Sequence, residues 1–337
     1  MQLEPIEPEL AVELFLNERE MEISELTLRH DKMFLGFFLD WCELQEIENL
    51  NNLTGRLIHQ HQIWRRDEFD LVPQSLKNHM DTIRMFVRWL GTINGVDPDL
   101  HYQVKSPKIP AGQESRDAII EADRAERILE HLGMYQYASR DHVVIALIWH
   151  TMLRRGALRA LDLGDYDSDE QYLQLIHRPE KGTRLKNANS SQRLIGLSDD
   201  VAAILDHYIA SQRKEVTDDY GRHPLVTTGH GRPAESTISK ICYQWSRPCE
   251  VGAGCPHGRT PDECEAVVDP AQVSACPSNE ASHAWRRGGI THHLSKDVPQ
   301  DAVSERADVS NEVLETHYDK RSQKDKMEQR RKYLERF

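Results

Sequence analysis

The stretch TMLRRGALRAL, residues 151–161, places two adjacent arginines at the end of a strongly apolar part of the chain. It follows the segment DHVVIALIWH, and together they predict a mostly buried helix over 140–161. A guanidinium within such a helix is costly unless it meets an anion or a carboxylate. Arg154 is therefore expected either to bind an anionic ligand or to pair with a nearby acid, such as Asp162 or Asp165.

Three more stretches carry side chains suited to chemistry. Lys181 lies in PEKGTR, between the alternating segments of a hairpin predicted over 172–197. SHAWRRGGITHHL places His283 and Arg286 three residues apart, on one face of a predicted helix. Tyr318 lies in LETHYDKR, near the end of the sequence. Each also has an ordinary interpretation, as an exposed turn lysine, a residue at a helix start and a packed aromatic ring.

Together the four stretches resemble the motifs of the tyrosine recombinases, the family of phage integrases and Xer-type recombinases. The first family motif has the form T-G-L-R-x-[SG]-E-L-x-x-L, and TMLRRGALRAL puts Arg154 at its catalytic arginine. Met152 and Ala157 stand where the family has glycine and glutamate. The loss of that glutamate is expected to weaken local support without removing a reacting group.

The other family motifs follow in order along the chain. The pattern H-x-x-R matches His283 and Arg286, the lysine of the family's β-hairpin matches Lys181, and the nucleophile matches Tyr318. The chain also has a cysteine-rich insertion at about 242–277, and in this it resembles archaeal integrase-like proteins of the family. The resemblance in architecture covers roughly residues 20–330.

One position departs from the family pattern. The family has a histidine or tryptophan nine residues before the tyrosine, directly after a glycine. Here Val309 stands nine residues before Tyr318, and Asp308 stands ten before it. Asp308, with a shift of one residue, is interpreted as the equivalent, and His317 beside the nucleophile is the alternative.

The resemblance implies a phosphoryl transfer in which Tyr318 attacks a DNA phosphodiester and forms a 3′-phosphotyrosyl link. Two permanently charged guanidinium groups, Arg154 and Arg286, suit the extra negative charge of the transition state. His283 is expected to share the tyrosine proton, and Lys181 to protonate the departing 5′-oxygen. The bond energy stays in the covalent link, so neither ATP nor a catalytic metal is implied.

The fold implied is mainly helical. A helical N-terminal core-binding domain would precede a mixed α/β catalytic domain with a small antiparallel sheet, and double-stranded DNA would be bound by a tetramer on paired sites.

Two alternative functions stay open. One is a DNA-binding regulator of the same fold with weakened catalysis. The other is a type IB topoisomerase-like enzyme that relaxes DNA as a monomer.

Composition and the positions of proline and glycine indicate the class of protein and the limits of its domains. The chain has 337 residues and a net charge of −13, which argues against non-specific binding of nucleic acid over the whole surface. It lacks a signal-peptide pattern and a long apolar run, so a cytoplasmic protein without membrane contact is expected. The predicted domains are 1–105, a linker at 106–117 and 118–337, with a basic tail at 319–337.

Helical periodicity is clear at both ends of the chain. Helices are predicted over 27–46, where Thr27 is the candidate cap, over 75–91, and near 283–295, 299–306 and 310–334. The exposed face of the second helix carries bases that could lie along DNA phosphates, although a solvated face is the simpler interpretation. The candidate DNA contacts are Lys77, Arg84, Arg88, Arg155 and Arg287.

Five of the six cysteines fall in an insertion at about 242–277. Such a cluster in a cytosolic protein favours a structural zinc ion over disulfides, since zinc takes four thiolate or imidazole ligands. No C-x2-C pair occurs, and a loop of reduced cysteines is the alternative. The candidate ligands are Cys249, Cys255, Cys264 and Cys276, with His257 or Cys242 as substitutes.

Overall fold

Two units make up the chain, Met1–Arg116 and Asp117–Phe337. The structure is a computed structural model that describes residues 2–109, 118–296, 298–319 and 321–334. Within those ranges it leaves the side chains of His317, Asp325, Gln329, Arg330, Lys332, Tyr333 and Leu334 undescribed. Most of the predicted linker, residues 110–117, lies outside the described residues.

The N-terminal unit is a set of helices around an aromatic core. The helices are α1 (Pro8–Glu20), α2 (Glu25–Leu44), α3 (Gly55–Phe69) and α4 (Pro73–Thr92). The two helices predicted from periodicity correspond to α2 and α4. The cap of α2 is Ser24 rather than Thr27, because the Ser24 hydroxyl accepts the backbone N–H of Thr27 at 3.2 Å. Fully buried rings and aliphatic side chains fill the centre, including Phe38, Trp41, Ile83 and Phe86.

The C-terminal unit is also mainly helical. Its helices are α5 (Ala122–Tyr135), α6 (Arg140–Thr151), α7 (Arg155–Ala160), α8 (Asp199–His207), α9 (Glu235–Trp245), α10 (Glu265–Val268), α11 (Ser282–Ser295), α12 (Gln300–Ala307), α13 (Asn311–Val313) and α14 (Gln323–Leu334). In the described part of the chain, no helix is long and apolar enough to cross a membrane.

A small antiparallel sheet contains the two strands of the predicted hairpin region and one short strand before it. The strands are β1 (Tyr166–Asp167), β2 (Tyr172–Leu175) and β3 (Arg193–Gly196), in the order β1-β2-β3. Leu173 pairs with Ile195, and both side chains enter the core, which fixes the register by burying one face. The mainly helical fold with a small antiparallel sheet is confirmed.

The helix predicted over 140–161 is wrong as one element. It ends at Thr151, and Met152 takes a left-handed conformation with φ 55°. Arg154 is then the N-cap of α7, so its side chain leaves the apolar surface of α6. The sequence hid the break because methionine gives no turn signal at a position that glycine would favour.

The helix predicted over 310–334 is also divided. It consists of α13, a π-helical turn over Leu314–Tyr318 and the separate α14. The backbone leaves the helix after the nucleophile candidate, since Asp319 is extended with ψ 90°. Tyr318 therefore lies at the end of a widened turn, a geometry that often occurs at functional positions.

Two glycines let α11 approach α6 closely. A Cβ atom on Gly288 would overlap the backbone oxygen of Ile120 and the ring of Trp149, and one on Gly289 would overlap the backbone oxygen of Trp149. Only glycine allows this contact between backbones. The pair in the sequence RRGG thus fixes the position of the helix that carries His283 and Arg286.

Candidate active site

Tyr318 and His283 face each other in the C-terminal unit. The Tyr318 hydroxyl lies 3.5 Å from His283 Nε2, and the two rings are nearly perpendicular, at 66°. The Tyr318 side chain is 7% exposed, whereas His283 is exposed on one side. A proton acceptor is therefore within reach of the tyrosine hydroxyl.

Contacts of Tyr318 and of the residues that follow it hold the backbone in place. The hydroxyl of Thr291 on α11 donates to the Tyr318 backbone oxygen at 2.8 Å. The next residue, Asp319, has a side chain that is 2% exposed and pairs with Arg321 at 2.8 Å and Lys326 at 2.9 Å. Arg321 also donates to the backbone oxygen of Leu294 at 3.0 Å. These contacts dock the segment that carries the nucleophile candidate onto α11 of the same chain.

Two buried arginines lie near the Tyr318 ring. Arg286 and Arg287 are 1% and 2% exposed, and each guanidinium carbon lies 5.7 Å from the ring centroid. Arg286 donates to the backbone oxygens of Met152 and Ala307, the latter at 2.6 Å. The carbonyl that follows the α6 break therefore orients this guanidinium.

Arg154 completes the cluster from the loop between α6 and α7. Its Nη1 donates to Oδ2 of Asp308 at 2.5 Å, and its Nη2 donates to the Asp308 backbone oxygen at 2.8 Å. Of the acids considered from the sequence, Asp165 instead accepts from Arg178, and Asp162 accepts from Arg222 and Arg232. The partner of Arg154 is thus an acid 154 residues away in the sequence.

The electrostatics of the cluster favour a neutral imidazole. Partial burial, followed by the charges of Arg287 and Arg286, lowers the pKa of His283 to about 4. Solvent reaches one side of the ring and moderates this effect. Burial and the nearby charge of Arg154 lower the pKa of Arg286 to about 10, so it stays protonated at neutral pH. The site is therefore strongly positive, with a neutral base beside the phenol.

Part of the chain is similar in sequence to curated recombinases. Tyrosine recombinase XerC of Xanthomonas campestris pv. campestris strain B100 is 24% identical over 173 residues, which are 51% of this chain and 52% of XerC. XerC of strain 8004 gives the same match. The match thus spans about half the length of these relatives. No protein-family profile matches the chain.

The fold is that of solved integrases. The Tn1549 transposon integrase in complex with a circular intermediate DNA superposes with a TM-score of 0.66 at 12% identity, covering 97% of this chain and 98% of that one. A lambda integrase dimer bound to a COC′ core site gives 0.63 at 12% identity, covering 94% and 77%. A lambda integrase tetramer bound to a Holliday junction gives 0.61 at 13% identity, covering 89% and 76%.

The chain thus has the fold of solved integrases and is similar to a tyrosine recombinase over about half of its length. Of the five principal positions that the family motifs pick out, the structure brings four together: Arg154, His283, Arg286 and Tyr318. They come from the loop before α7, from α11 and from the turn after α13, so three separate segments build the candidate active site.

The fifth position, Lys181, lies elsewhere on the hairpin. It is exposed in a short 3₁₀ turn, and no hydrogen bond or ion pair joins its ammonium group to another described residue. Its backbone oxygen accepts from Arg222 at 2.8 Å. Lys186, five residues on, is instead close enough to His283 for its charge to contribute to the lowered pKa of that imidazole. The sequence reasoning missed Lys186 because no motif marked it.

Asp308, which stands where the family pattern has a glycine, keeps a backbone conformation that glycine favours. Asp308 ends α12 in a left-handed conformation with φ 54°. This is the conformation expected of the glycine that precedes the histidine in the family pattern. Val309, in register with that histidine, is buried in an apolar cluster with Leu314 and Tyr318. Asp308 reaches the site from the glycine position. The side chain of His317 lies outside the described residues.

The candidate DNA contacts have different surroundings. Lys77 and Arg84 both pair with Asp81, at 2.7 and 2.8 Å, so one acid partly offsets both charges. Arg88 is exposed beside Arg84 in a cleft of about 400 Å³. Arg155 pairs with Glu235 at 2.8 Å. Arg287 is not at the surface, because its guanidinium lies inside the unit against Tyr318.

The cysteine insertion folds around one pair of thiols. Cys264 and Cys276 are buried together with Ala266. Burial raises the pKa of the Cys249 thiol, and the nearby Cys276 adds to that rise. Backbone N–H groups of residues 257–259 lower the pKa of Cys255. Among the described residues, no three side chains of the His, Cys, Asp or Glu type converge tightly enough to hold a metal. Cys242 is separate, since it packs in the main core.

Proposed function

We propose that this protein is a site-specific DNA recombinase that cuts and rejoins DNA through Tyr318. The observation that carries the proposal is the cluster in which the Tyr318 hydroxyl faces His283 Nε2 at 3.5 Å beside the guanidinium groups of Arg286 and Arg154. A nucleophile, a base and two anion-binding groups are the parts that phosphoryl transfer requires. Sequence similarity to XerC supports the same activity.

The reaction balances without an external energy source. The Tyr318 oxygen bonds to phosphorus as the bond from phosphorus to the 5′-oxygen breaks, and His283 takes up the phenol proton. The 5′-oxygen leaves as a hydroxyl after receiving a proton from a lysine of the hairpin region. A 5′-hydroxyl of another strand then attacks the phosphotyrosine, and Tyr318 leaves with its proton restored.

Positive charge supplies the electrostatic part of catalysis. Arg154 and Arg286 present planar, permanently charged forks to the non-bridging oxygens, where negative charge increases in the transition state. Among the described residues, Asp308 is the acid that pairs with Arg154. Both guanidinium groups are held by protein acceptors, so they need little reorganisation when the phosphate arrives.

The proposed partner is double-stranded DNA, bound by a tetramer on two paired sites. Lambda integrase is seen as a dimer on a core site and as a tetramer on a Holliday junction, which supports this assembly here. Incubating the protein with two differently labelled duplexes tests the function. Tyr318-dependent exchange of labelled strands supports recombination, whereas relaxation of supercoiled plasmid without exchange favours a topoisomerase-like enzyme. Specific binding without a covalent adduct favours a regulator.

We also propose that the insertion holds a structural zinc ion. Cys264 and Cys276 pack together, and His257 Nε2 lies 2.8 Å from the Ser278 hydroxyl, which brings the Cys255 loop near Cys276. Thiolates and an imidazole are ligands that zinc prefers. Cys249, Cys255, Cys264 and Cys276, with His257 as a substitute, would close further around the ion to bind it. Bound there, zinc would brace the segment that leads into α11.

A further inference from the structure

Asp308 is tied to the rest of the site by an unusually full set of hydrogen bonds. Its carboxylate accepts from Arg154 Nη1 at 2.5 Å, from the Ser191 hydroxyl at 2.7 Å and from the Asn187 amide at 3.2 Å. The Asp308 side chain is 13% exposed. A carboxylate with this many donors is fixed in place. The loop before β3 therefore connects through Asp308 to Arg154.

The contact constrains Arg154 at two points. The two terminal nitrogens of its guanidinium donate to the side chain and to the backbone oxygen of the same residue, Asp308. A planar fork bound in two places cannot rotate about its long side chain without breaking both bonds. Asp308 thus sets the direction in which the remaining N–H groups of Arg154 point.

Asp308 is unsuited to contact the DNA phosphate itself. Burial alone would raise the pKa of its carboxyl, but the hydrogen bond from Ser191 and the charge of Arg154 hold the pKa below its ordinary value. The carboxylate is therefore ionised at neutral pH, and it can neither donate a hydrogen bond nor attract a phosphate. Its effect on the reaction must pass through the arginine that it holds.

The stretch TMLRRGALRAL offers a reason why Asp308 contacts Arg154. The position three residues after Arg154 is occupied by Ala157, which carries no carboxylate. We propose that Asp308 is the positioning residue for Arg154, supplying from the end of α12 the carboxylate that α7 lacks. The inference rests on the proposed recombinase function, because Arg154 must bind the phosphate for its orientation to matter.

The test compares Asp308→Asn and Asp308→Gly, both of which tolerate the left-handed backbone. Single-turnover formation of the covalent adduct is measured on a nicked DNA substrate, at saturating DNA and as a function of DNA concentration. We expect the maximal rate to fall on the order of a hundredfold, as for a slightly misplaced catalytic group. The DNA concentration for half-saturation should change by less than about threefold, because the loss concerns the transition state.

Rescue and control variants make the result specific. Ala157→Glu in the Asp308→Gly background places a carboxylate three residues after Arg154 and should recover at least about tenfold of the lost rate in folded protein. Asp301→Asn removes an exposed acid from α12 and should leave the rate unchanged. Thermal unfolding of each variant shows whether it remains folded.

Several results would overturn the proposal. An increased rate in Asp308→Asn would mean that the carboxylate competes with the DNA phosphate. An unchanged rate in both variants would mean that Arg154 does not depend on this charge. A double-mutant cycle with Arg154→Gln in thermal unfolding tests the contact without any reaction. If wild-type protein forms no adduct but the cycle shows coupling, the proposed function fails while the contact stands.

Discussion

The Tyr318 hydroxyl lies 3.5 Å from His283 Nε2, although the two residues stand 35 positions apart on different elements. Docking of the turn after α13 onto α11 creates this contact within one chain. The lowered pKa of His283 means that the ring can accept the phenol proton over a wide range of pH.

We therefore expect adduct formation to persist at a lower pH than an ordinary histidine base would allow. The pKa of His283 is lowered from 6.5 to about 4, so the imidazole is protonated and inactive only as the pH approaches the lower value. The measurement is the single-turnover rate as a function of pH, with unfolding followed in the same buffers. A midpoint near 6.5 in folded protein would contradict this account of the site.

Lys186 should matter more than Lys181. The charge of Lys186 reaches His283, whereas the ammonium group of Lys181 makes no contact with another described residue. We expect Lys186→Ala to slow adduct formation by on the order of a hundredfold, the size of effect typical of a general acid, and Lys181→Ala to change it little. A DNA substrate with a 5′-thiol leaving group needs no proton and should restore the rate of the sensitive variant. A larger loss in Lys181→Ala would return the role to the residue chosen from the motif.

The N-terminal unit should lose stability in mild acid. His61 and His79 are fully buried with Nε2 atoms 3.4 Å apart, and burial lowers both pKa values, that of His79 to about 3. In the unfolded chain each ring binds a proton near pH 6.5. The unfolded state therefore binds more protons below that pH, so stability is complete above about 6.5 and decreases as the pH falls toward 3.

Hydrogen exchange of amides in α3 and α4 at pH 7.5 and pH 5 measures this effect. Once corrected for intrinsic exchange rates, wild-type protein should be less protected at pH 5. In His79→Phe the difference between the two pH values should shrink, because one titrating ring is gone. His59→Gln, which alters an exposed histidine on α3, should behave as wild type. An equal pH difference in all three proteins would contradict the role of the buried pair.

The zinc proposal predicts about one equivalent of metal in purified protein, and chelation should lower the melting temperature. Cys264→Ser and Cys276→Ser should lose the metal, whereas Cys242→Ala should retain it because that thiol lies in the main core. Elemental analysis of the four proteins measures the content. Less than about half an equivalent in wild-type protein would exclude a structural zinc site, since such sites normally survive purification.

The sequence predicted the parts of the site whose signal is local. Apolar periodicity located α2, α4 and α11, and alternation located β2 and β3. Motif spacing picked out Arg154, His283, Arg286 and Tyr318, which the fold brings together. The helices and strands were predicted correctly because the pattern of each is visible among its own neighbouring residues.

Long-range register could not be predicted in the same way. The contact between Arg154 and Asp308 depends on how the end of α12 packs beside the loop before α7. The local sequence of either segment does not predict that the two segments meet. The break at Met152 and the position of Lys186 near the site also depend on tertiary structure. Tertiary contacts overrode the local helical pattern at Met152, and the path of the hairpin decided which lysine came near His283.

The most direct test of the central claim is trapping of the covalent intermediate. A duplex nicked close to the cleavage point loses its short 5′-hydroxyl fragment after attack, so the protein stays joined to the 3′-phosphate. We predict an adduct that resists denaturation, with the DNA mapped to Tyr318 by mass spectrometry, and no adduct from Tyr318→Phe. Absence of an adduct from wild-type protein on DNA that it binds specifically, or attachment at another residue, would contradict the account.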